Sequence, residues 1–120
     1  MTTIIDIFES SVSKFSNNPF LWEKKTDKYE SLTYGKVREQ TKILAAGLIK
    51  LNVKKEDRIA LLSEGRNYWV MSELAILYTG AINVPLSVKL DAGTDLRFRL
   101  EHSGTKMIIV SNAQAHKIRQ

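Results

Sequence analysis

The sequence contains no cysteine, and this absence removes several kinds of chemistry at once. Disulfides, thiolate nucleophiles and cysteine metal ligands are all excluded. The chain also lacks any apolar run long enough to cross a bilayer, and residues 1–6 show neither the basic region nor the apolar core of a signal peptide. We therefore expect a cytoplasmic protein.

Positive charge is in modest excess, but the basic residues are not clustered. The formal net charge is +5 at pH 7, and the lysines are spread over every predicted element, often with acidic residues nearby. A dispersed excess of this kind indicates a solvated surface rather than a nucleic-acid-binding patch. We expect no nucleic-acid partner.

Glycine and histidine are sparse, and they form no recognised catalytic or phosphate-binding motif. The six glycines never fall into G-x-G-x-x-G or G-x-x-x-x-G-K-[ST], so both phosphate-cradling loops are excluded. His102 beside Glu101 suits a helix end, and His116 is expected to be an exposed helix residue. We assign no catalytic residue, no cofactor-binding residue and no metal ligand.

One joint has the placement of an anion site. Residues 63–67 follow a predicted strand and precede a predicted helix, where backbone amides can hold an anion. A structural turn is the favoured interpretation, because the joint is short and poor in glycine. The aromatic residues Tyr68, Trp69 and Tyr78 of the next helix are interpreted as core packing rather than as a platform for base stacking.

The first part of the chain predicts a helix, a hairpin and a second helix. Apolar residues at spacings near three and four predict an amphipathic helix over residues 4–16. Residues 20–33 predict a hairpin with its turn at 26–28. Thr33 then caps a long helix. The predicted buried stripe of that helix is Val37, Thr41, Leu44, Leu48 and Leu51.

The second helix has a predicted end and a predicted thin flank. Asn52 suits the left-handed conformation that ends a helix after Leu51. The small residues 45–47 predict a flank that packs closely against a sheet.

The remaining chain alternates strands and helices. Short apolar runs at residues 59–62, 82–86 and 107–110 predict buried strands, and residues 68–78 predict a helix between the first two. We expect an α/β fold: a doubly wound parallel β-α-β-α-β sheet flanked by helices and preceded by a helix and a β-hairpin.

Two later segments complete that order. Residues 95–103 fit either a strand or a helix, and Gly104 as a C-terminal stop favours the helix. Ser111 or Asn112 is expected to cap a last helix that runs through Ile118.

The predicted sheet has an apolar edge with nothing to cover it, and the last helix has no C-terminal cap. Natural domains usually cover or blunt such edges. We therefore expect a fragment of a longer protein, which pairs with the remainder of its own chain or associates with itself through the open sheet edge.

Four segments have the order and spacing of motifs in a known superfamily. They are residues 32–34 (LTY), 57–64 (DRIALLSE) with Arg66 and Trp69, 77–86 (LYTGAINVPL), and 99–110. Together they resemble the adenylate-forming enzymes, which include acyl-CoA synthetases, luciferases and peptide-synthetase adenylation domains. The second segment is most similar to the long-chain fatty acid–CoA ligases. The resemblance covers nearly the whole chain.

The resemblance implies an enzyme that makes an acyl-adenylate from a fatty acid and Mg-ATP and then transfers the acyl group to coenzyme A. The phosphate loop, the nucleotide contacts and the catalytic lysine of that family lie further along the chain than residue 120. Residues 1–120 would form the N-terminal part of the large AMP-binding domain, with the C-terminal domain absent. We therefore expect these residues alone to be inactive and to bind no cofactor. Because the substrates of such an enzyme are apolar, the parent protein could also associate peripherally with a membrane.

The sequence departs from the family pattern at three positions, one in the first turn of a helix and two near chain turns. Lys36 stands where the family usually has an acid, and Asn52 and Glu56 replace customary glycines. Two other functions stay open at this stage. One is a free-standing α/β domain that binds a nucleotide or effector, and the other is a noncatalytic interaction module.

Overall fold

The computed structural model describes residues 3–25, 27–64, 67–89 and 96–118. Its helices are α1 Ile4–Phe15, α2 Tyr34–Lys50, α3 Asn67–Tyr78, α4 Arg97–Ser103 and α5 Ala115–Ile118. Its strands are β1 Pro19–Lys25, β2 Lys28–Thr33, β3 Arg58–Leu62, β4 Ile82–Leu86 and β5 Met107–Val110. The predicted order of elements is confirmed, including a helix before Gly104. Residues 26 and 95, where a turn and a helix start were predicted, lie outside the described residues.

Side-chain caps define the starts of the first two helices. Thr3 Oγ1 accepts a hydrogen bond from the amide of Asp6, and the Asp6 carboxylate accepts one from the amide of Thr3, both at 3.0 Å. This reciprocal pair is a capping box. Thr33 Oγ1 accepts from the amide of Lys36 at 3.1 Å, which confirms Thr33 as the cap of α2.

The end of α2 corrects the predicted buried stripe. Leu51 is 65% exposed. Asn52 takes the predicted left-handed conformation with φ 73°, and Val53, 5% exposed, enters the core in place of Leu51. The amide of Val53 donates to Leu48 O at 3.1 Å, and that of Asn52 donates to Ile49 O at 2.9 Å. This Schellman motif reverses the chain and turns the side chain after the cap inward.

The thin flank predicted at residues 45–47 is only partly right. Ala45 is buried at 6% exposure, but Ala46 and Gly47 are exposed. Open space surrounds the position of a Cβ on Gly47. A single small residue therefore permits the close approach of α2 to its neighbours.

Two turns keep a left-handed backbone conformation without glycine. Asn52 has φ 73° and Glu56 has φ 72°. The second turn is held by Asp57, whose carboxylate accepts from the amide of Lys54 at 2.8 Å, and by the amide of Glu56, which donates to Gly80 O at 2.9 Å. The departures from glycine therefore leave the turns in place, at the conformational cost that a β-carbon brings.

The parallel sheet has the strand order β4-β3-β5, and β1 and β2 form a separate antiparallel hairpin. Ala60 on the central strand is opposite Val84 on one side and Ile108 on the other. The chain passes from β3 to β4 on one side of the sheet. It then crosses back to β5 on the other side of β3, so the direction of travel across the sheet reverses. With right-handed crossovers, the two connections lie on opposite faces, which is the doubly wound arrangement.

The core consists of two adjoining clusters. One joins α2, β3 and α3 through buried aliphatic residues that include Leu48, Ile59 and Ile76. The other gathers Phe8, Val37, Met71 and Leu74 beneath the hairpin. Among the described residues, no helix has the length and apolar character needed to cross a membrane.

Candidate functional site at the carboxyl edge of the sheet

The topology places a crevice between the carboxyl ends of β3 and β5. These strands are neighbours, yet the chain leaves β3 towards β4, on the opposite side from β5. In open α/β sheets, ligands bind outside the carboxyl ends of the strands at such a switch point. Residues 63 and 64 follow β3, and residues 111–114 follow β5. Gly65 and Arg66, which complete the anion-site candidate at 63–67, lie outside the described residues.

Glu64 ties the two strand ends together. One carboxylate oxygen accepts from the hydroxyl of Ser111 at 2.8 Å, and the other accepts from the side-chain amide of Gln114 at 2.9 Å. The amide of Ser111 also donates to Leu62 O at 3.1 Å. The Glu64 carboxylate therefore joins the segments that follow β3 and β5, and the interpretation of the whole joint as a structural turn stays a prediction.

These contacts explain why the prediction for the last helix is wrong at its start. Helix α5 begins at Ala115 rather than directly after Ser111 or Asn112. Ser111 uses its hydroxyl to donate to Glu64, so the side chain is committed to another element. The chain makes a turn over residues 112–114 before the helix starts.

A cavity of about 340 Å³ lies beside this clamp. Its floor is apolar, with Leu61 from β3 and with Ile109 and Val110 from β5. Polar walls come from the residues after the strands and from the first turns of α3. They are Ser63, Ser111, Asn112, Tyr68 and Ser72.

Tyr68 is placed differently from the prediction. Tyr68 is 65% exposed, so its interpretation as core packing is wrong. Helix α3 is apolar on most sides, and the pattern therefore does not show which aromatic residue faces outward. Ser72 is only 6% exposed.

A second polar centre joins three helices away from the sheet edge. Tyr78 of α3 donates to the Glu9 carboxylate of α1. Arg38 Nε of α2 approaches the Glu9 oxygens at 2.9 and 2.8 Å. Burial alone would raise the pKa of Glu9, but the hydrogen bonds from Tyr78 and Arg38 outweigh it and hold that pKa below its ordinary value. Burial and then the Glu9 carboxylate raise the pKa of Tyr78.

A third polar centre lies at the amino end of the sheet. Lys106 Nζ is 3.0 Å from the Asp57 carboxylate and donates to Asn52 O at 2.6 Å. The backbone amide of Lys54, and then Lys106, hold the pKa of Asp57 below its ordinary value. The second and third centres connect elements of the fold, so we interpret both as structural. Tyr78 also lines a cavity of about 330 Å³ together with the start of α1 and the turn between α3 and β4.

The histidines occupy the places predicted for them. His102 lies in the last turn of α4 and stacks on Phe98 with ring centroids 5.3 Å apart. His116 is exposed on α5. Over the part of the chain that the structure describes, no three acidic or histidine side chains gather to hold a metal ion.

The sequence analysis did not predict the hydrogen-bonded pairs at these centres, because the paired residues are far apart in the sequence. Glu64 and Ser111 are 47 positions apart, and Glu9 and Tyr78 are 69 apart. The available signal was topological, because residues that follow neighbouring parallel strands meet at one edge of the sheet. The second polar centre, where Glu9 meets Tyr78, had no comparable signal in the sequence.

The fold and this edge define an open parallel α/β domain, and sequence comparison identifies its family. The model of the AMP-binding enzyme family matches residues 8–120, and the chain belongs to that family. This finding agrees with the resemblance to adenylate-forming enzymes.

Curated relatives include several acyl-activating ligases. The chain is 34% identical over 105 residues to an uncharacterised acyl–CoA ligase of Bacillus subtilis, covering 84% of this chain and 20% of the relative. It is 30% identical to a chloroplastic long-chain-fatty-acid–[acyl-carrier-protein] ligase of Arabidopsis thaliana, covering 91% and 15%. The chain thus spans a fifth or less of the length of these relatives.

Solved structures confirm the fold. The inhibitor-bound N-terminal domain of FACL13 from Mycobacterium tuberculosis superposes with a TM-score of 0.86 at 25% identity, covering 99% of this chain and 29% of that one. The AMP complex of O-succinylbenzoate coenzyme A synthetase from Bacillus subtilis gives 0.79 at 23% identity, covering 88% and 26%. The α/β fold is that of the N-terminal domain of adenylate-forming enzymes.

Proposed function

We propose that this chain is the first part of the large domain of an AMP-forming fatty acid–CoA ligase. The observation that carries the proposal is the family match over residues 8–120. Relatives named as acyl–CoA and long-chain fatty acid ligases support the choice of substrate class.

The proposed reaction has two steps. The fatty acid carboxylate attacks the α-phosphorus of Mg-ATP and releases pyrophosphate, which leaves an acyl-adenylate. The thiolate of coenzyme A then attacks the acyl carbon, the carbon–oxygen bond to AMP breaks, and the thioester and AMP are released. In this proposal residues 1–120 form scaffold only. They hold no catalytic residue, and they act through the sheet and helices that support the remainder of the domain.

A panel of acids tests the substrate class. The protein encoded by the reading frame extended beyond Gln120 is incubated with Mg-ATP, coenzyme A and one acid at a time: palmitate, octanoate, benzoate or acetate. The AMP and the thioester that form are then measured. We expect palmitate to give the highest kcat/KM. A preference for benzoate or acetate would contradict the fatty acid assignment while leaving the ligase class intact. The absence of AMP with every acid would contradict the ligase class as well.

The proposal also specifies which sheet edge pairs with a partner. Pro85 removes a backbone donor from β4, and proline is tolerated only at the edges of sheets. Strand β5 consists of four apolar residues, without proline or charge. We therefore infer that β5 pairs with the remainder of the parent domain. If residues 1–120 associate with themselves, they do so through β5.

Light scattering over a concentration series tests this inference about the edge. Ile108→Lys should abolish any concentration-dependent dimer of residues 1–120, because a charge blocks edge pairing. Ile82→Lys, on β4, is the matched control and should leave the dimer unchanged. Equal effects of the two substitutions would contradict the assignment to β5.

We assign the parent enzyme to the cytoplasm, with reversible contact to membranes that deliver its acyl substrate. Cell fractionation under low and high salt tests this assignment. Recovery only in a detergent-extracted membrane fraction would contradict it.

A further inference from the structure

The amino end of the sheet carries exposed apolar side chains. Leu51 is 65% exposed and Ile49 is 59% exposed at the end of α2, and Ile82 is 44% exposed at the start of β4. The backbone holds Leu51 outward, because the left-handed Asn52 turns Val53 into the core. A single exposed apolar residue is ordinary, whereas apolar residues that gather within a polar rim are typical of a binding surface.

Lysines form that polar rim. Lys50 is the last residue of α2, and Lys54 and Lys55 follow in the next turn; all three are exposed. A β-carbon on Gly80 would lie 3.1 Å from Lys55 Cγ, so the turns that precede β3 and β4 lie side by side. We call the combined surface the amino-end patch, and its residues are Ile49, Lys50, Leu51, Lys54, Lys55 and Ile82.

The charges that face this end of the sheet sum to a positive value. The segments that form it are residues 50–58, 79–82 and 103–106, which together carry five basic and two acidic side chains. Of the two acids, Asp57 is already paired with Lys106 at 3.0 Å, which leaves Glu56 as the acid beside the patch lysines. A partner with negative charge complements this surface.

The combination of positive charge and apolar side chains selects the class of partner. A nucleic acid would engage the lysines through its phosphates and leave Leu51 and Ile49 in water. A second copy of the chain in a two-fold contact would bring the same lysines face to face, where they repel. An anionic membrane satisfies both groups, because lysines contact its headgroups while apolar side chains enter the boundary below them.

We propose that the amino-end patch is a docking surface for an anionic lipid membrane. The surface deepens the proposed function, on which it rests, because it locates the reversible membrane contact of the parent ligase. Leu51 and Ile49 enter the headgroup boundary, and the patch lysines contact the lipid phosphates and carboxylates. The carboxyl end of the sheet, where α/β domains bind ligands, then faces the water.

Vesicle flotation tests the proposal with two proteins, residues 1–120 and the longer protein encoded by the extended reading frame. The vesicles contain phosphatidylcholine alone or an equal mixture of phosphatidylcholine and phosphatidylserine. We expect both proteins to bind the mixed vesicles about tenfold or more tightly than the neutral ones, and high salt to release them. Equal binding to both vesicles would overturn the proposal. Binding by residues 1–120 but not by the longer protein would also overturn it, because the parent domain would then cover the patch.

Paired lysine substitutions separate the patch from the net charge. Lys54→Ala combined with Lys55→Ala should weaken binding to the mixed vesicles by about tenfold or more. Lys24→Ala combined with Lys28→Ala is the matched control, because it removes the same charge from exposed lysines of the β1–β2 hairpin. The control should weaken binding by less than about twofold, since its lysines lie outside the contact. Equal effects of the two pairs would overturn the proposal.

A substitution of Leu51 tests whether an apolar side chain enters the lipid. Leu51→Ala should weaken binding to the mixed vesicles by about fivefold or more, because less apolar surface leaves water. Ile7→Ala is the matched control, since Ile7 is 58% exposed on α1, and it should leave binding unchanged. Unchanged binding in Leu51→Ala would overturn the proposal.

AMP formation distinguishes a failure of the docking surface from a failure of the ligase proposal. The longer protein with Lys54→Ala and Lys55→Ala is assayed with palmitate, Mg-ATP and coenzyme A in the absence of vesicles, and we expect kcat to be unchanged. AMP formation by the natural protein without preference for mixed vesicles would overturn the docking surface alone. Preferential binding to mixed vesicles without AMP formation would support the docking surface and contradict the ligase class.

Discussion

The two ends of the parallel sheet are closed by different interactions. At the amino end, Lys106 bridges Asp57 and Asn52 O at 3.0 and 2.6 Å, and the amide of Ile82 donates to Asp57 O at 2.7 Å. At the carboxyl end, Glu64 accepts from Ser111 and Gln114 beside a cavity of about 340 Å³. An ion pair and backbone hydrogen bonds close the amino end, whereas a side-chain clamp and a cavity lie at the carboxyl end.

The two ends of one small sheet are therefore stabilised in different ways. Tight turns, backbone bonds and an ion pair fix the amino end, and buried residues such as Leu48 and Ile59 pack beneath it. The carboxyl end carries a cavity beside the Glu64 clamp, at the edge where α/β sheets bind ligands. Substitutions of packed residues at the amino end should change stability but not the cavity, and those at the carboxyl end should change both.

Removing the packing beneath the amino end should have the largest effect. Leu48 is 4% exposed and Leu51 is 65% exposed on the same helix. Leu48→Ala should lower the free energy of unfolding by about 2–5 kcal/mol through cavity formation, and Leu51→Ala by less than about 0.5 kcal/mol. Urea denaturation measures both. Similar losses from the two substitutions would contradict the inward turn at Val53.

Breaking the clamp at the carboxyl end should have the next largest effect. Glu64→Ala leaves Ser111 and Gln114 without their acceptor and should lower the free energy of unfolding by about 1–2 kcal/mol. Amide shifts should change over residues 111–114 and stay fixed at Asp57. Glu101→Ala is the control, because Glu101 forms an exposed pair with Arg97, and exposed pairs contribute about 0–1 kcal/mol. A shift change that spread equally to both ends of the sheet would contradict their independence.

Relieving backbone strain at the amino end should raise stability. Glu56 has φ 72°, where a residue with a β-carbon costs about 1–2 kcal/mol relative to glycine. Glu56→Gly should therefore increase the free energy of unfolding by about 1 kcal/mol. Asn52→Gly, at φ 73°, should give a smaller gain because asparagine tolerates this conformation. A loss of stability in Glu56→Gly, measured by urea denaturation, would show that the Glu56 side chain has a stabilising role.

The smallest expected effect is the pH dependence contributed by Asp57. Its pKa in the folded chain lies below the ordinary value of 3.8, so its contribution to stability is present above that value and is lost as pH falls through the folded-state pKa. The difference in unfolding free energy between the natural chain and Asp57→Asn should be greatest near neutral pH and should shrink below about pH 4. A difference that stayed constant over this range would contradict the assignment to the Asp57 charge.

Local structure could be predicted well from the sequence because its causes are local. The cap at Thr33, the left-handed Asn52 and the stop at Gly104 each depend on one residue and its neighbours, and all three are confirmed. Hydrophobic periodicity likewise predicted the strands and long helices within a residue or two.

Tertiary detail could not be predicted to the same degree. Leu51 fits the helical period, yet it lies beyond the last turn, where the Schellman motif selects Val53 instead. Tyr68 lies on a helix that is apolar on most sides, so its exposure depends on packing that the period does not encode. The partners of Glu64 and Glu9 lie 47 or more positions away. Strand order gives a topological signal for the meeting of Glu64 and Ser111, but the sequence carries no such signal for Glu9 and Tyr78.

The most direct test of the proposed function compares AMP formation by two proteins, namely residues 1–120 alone and the longer protein encoded by the extended reading frame. Both proteins are incubated with palmitate, Mg-ATP and coenzyme A. We predict palmitate-dependent AMP release by the extended protein and none above background by residues 1–120. Release by residues 1–120 alone would show that a catalytic site lies within them, and it would contradict the assignment of these residues to scaffold.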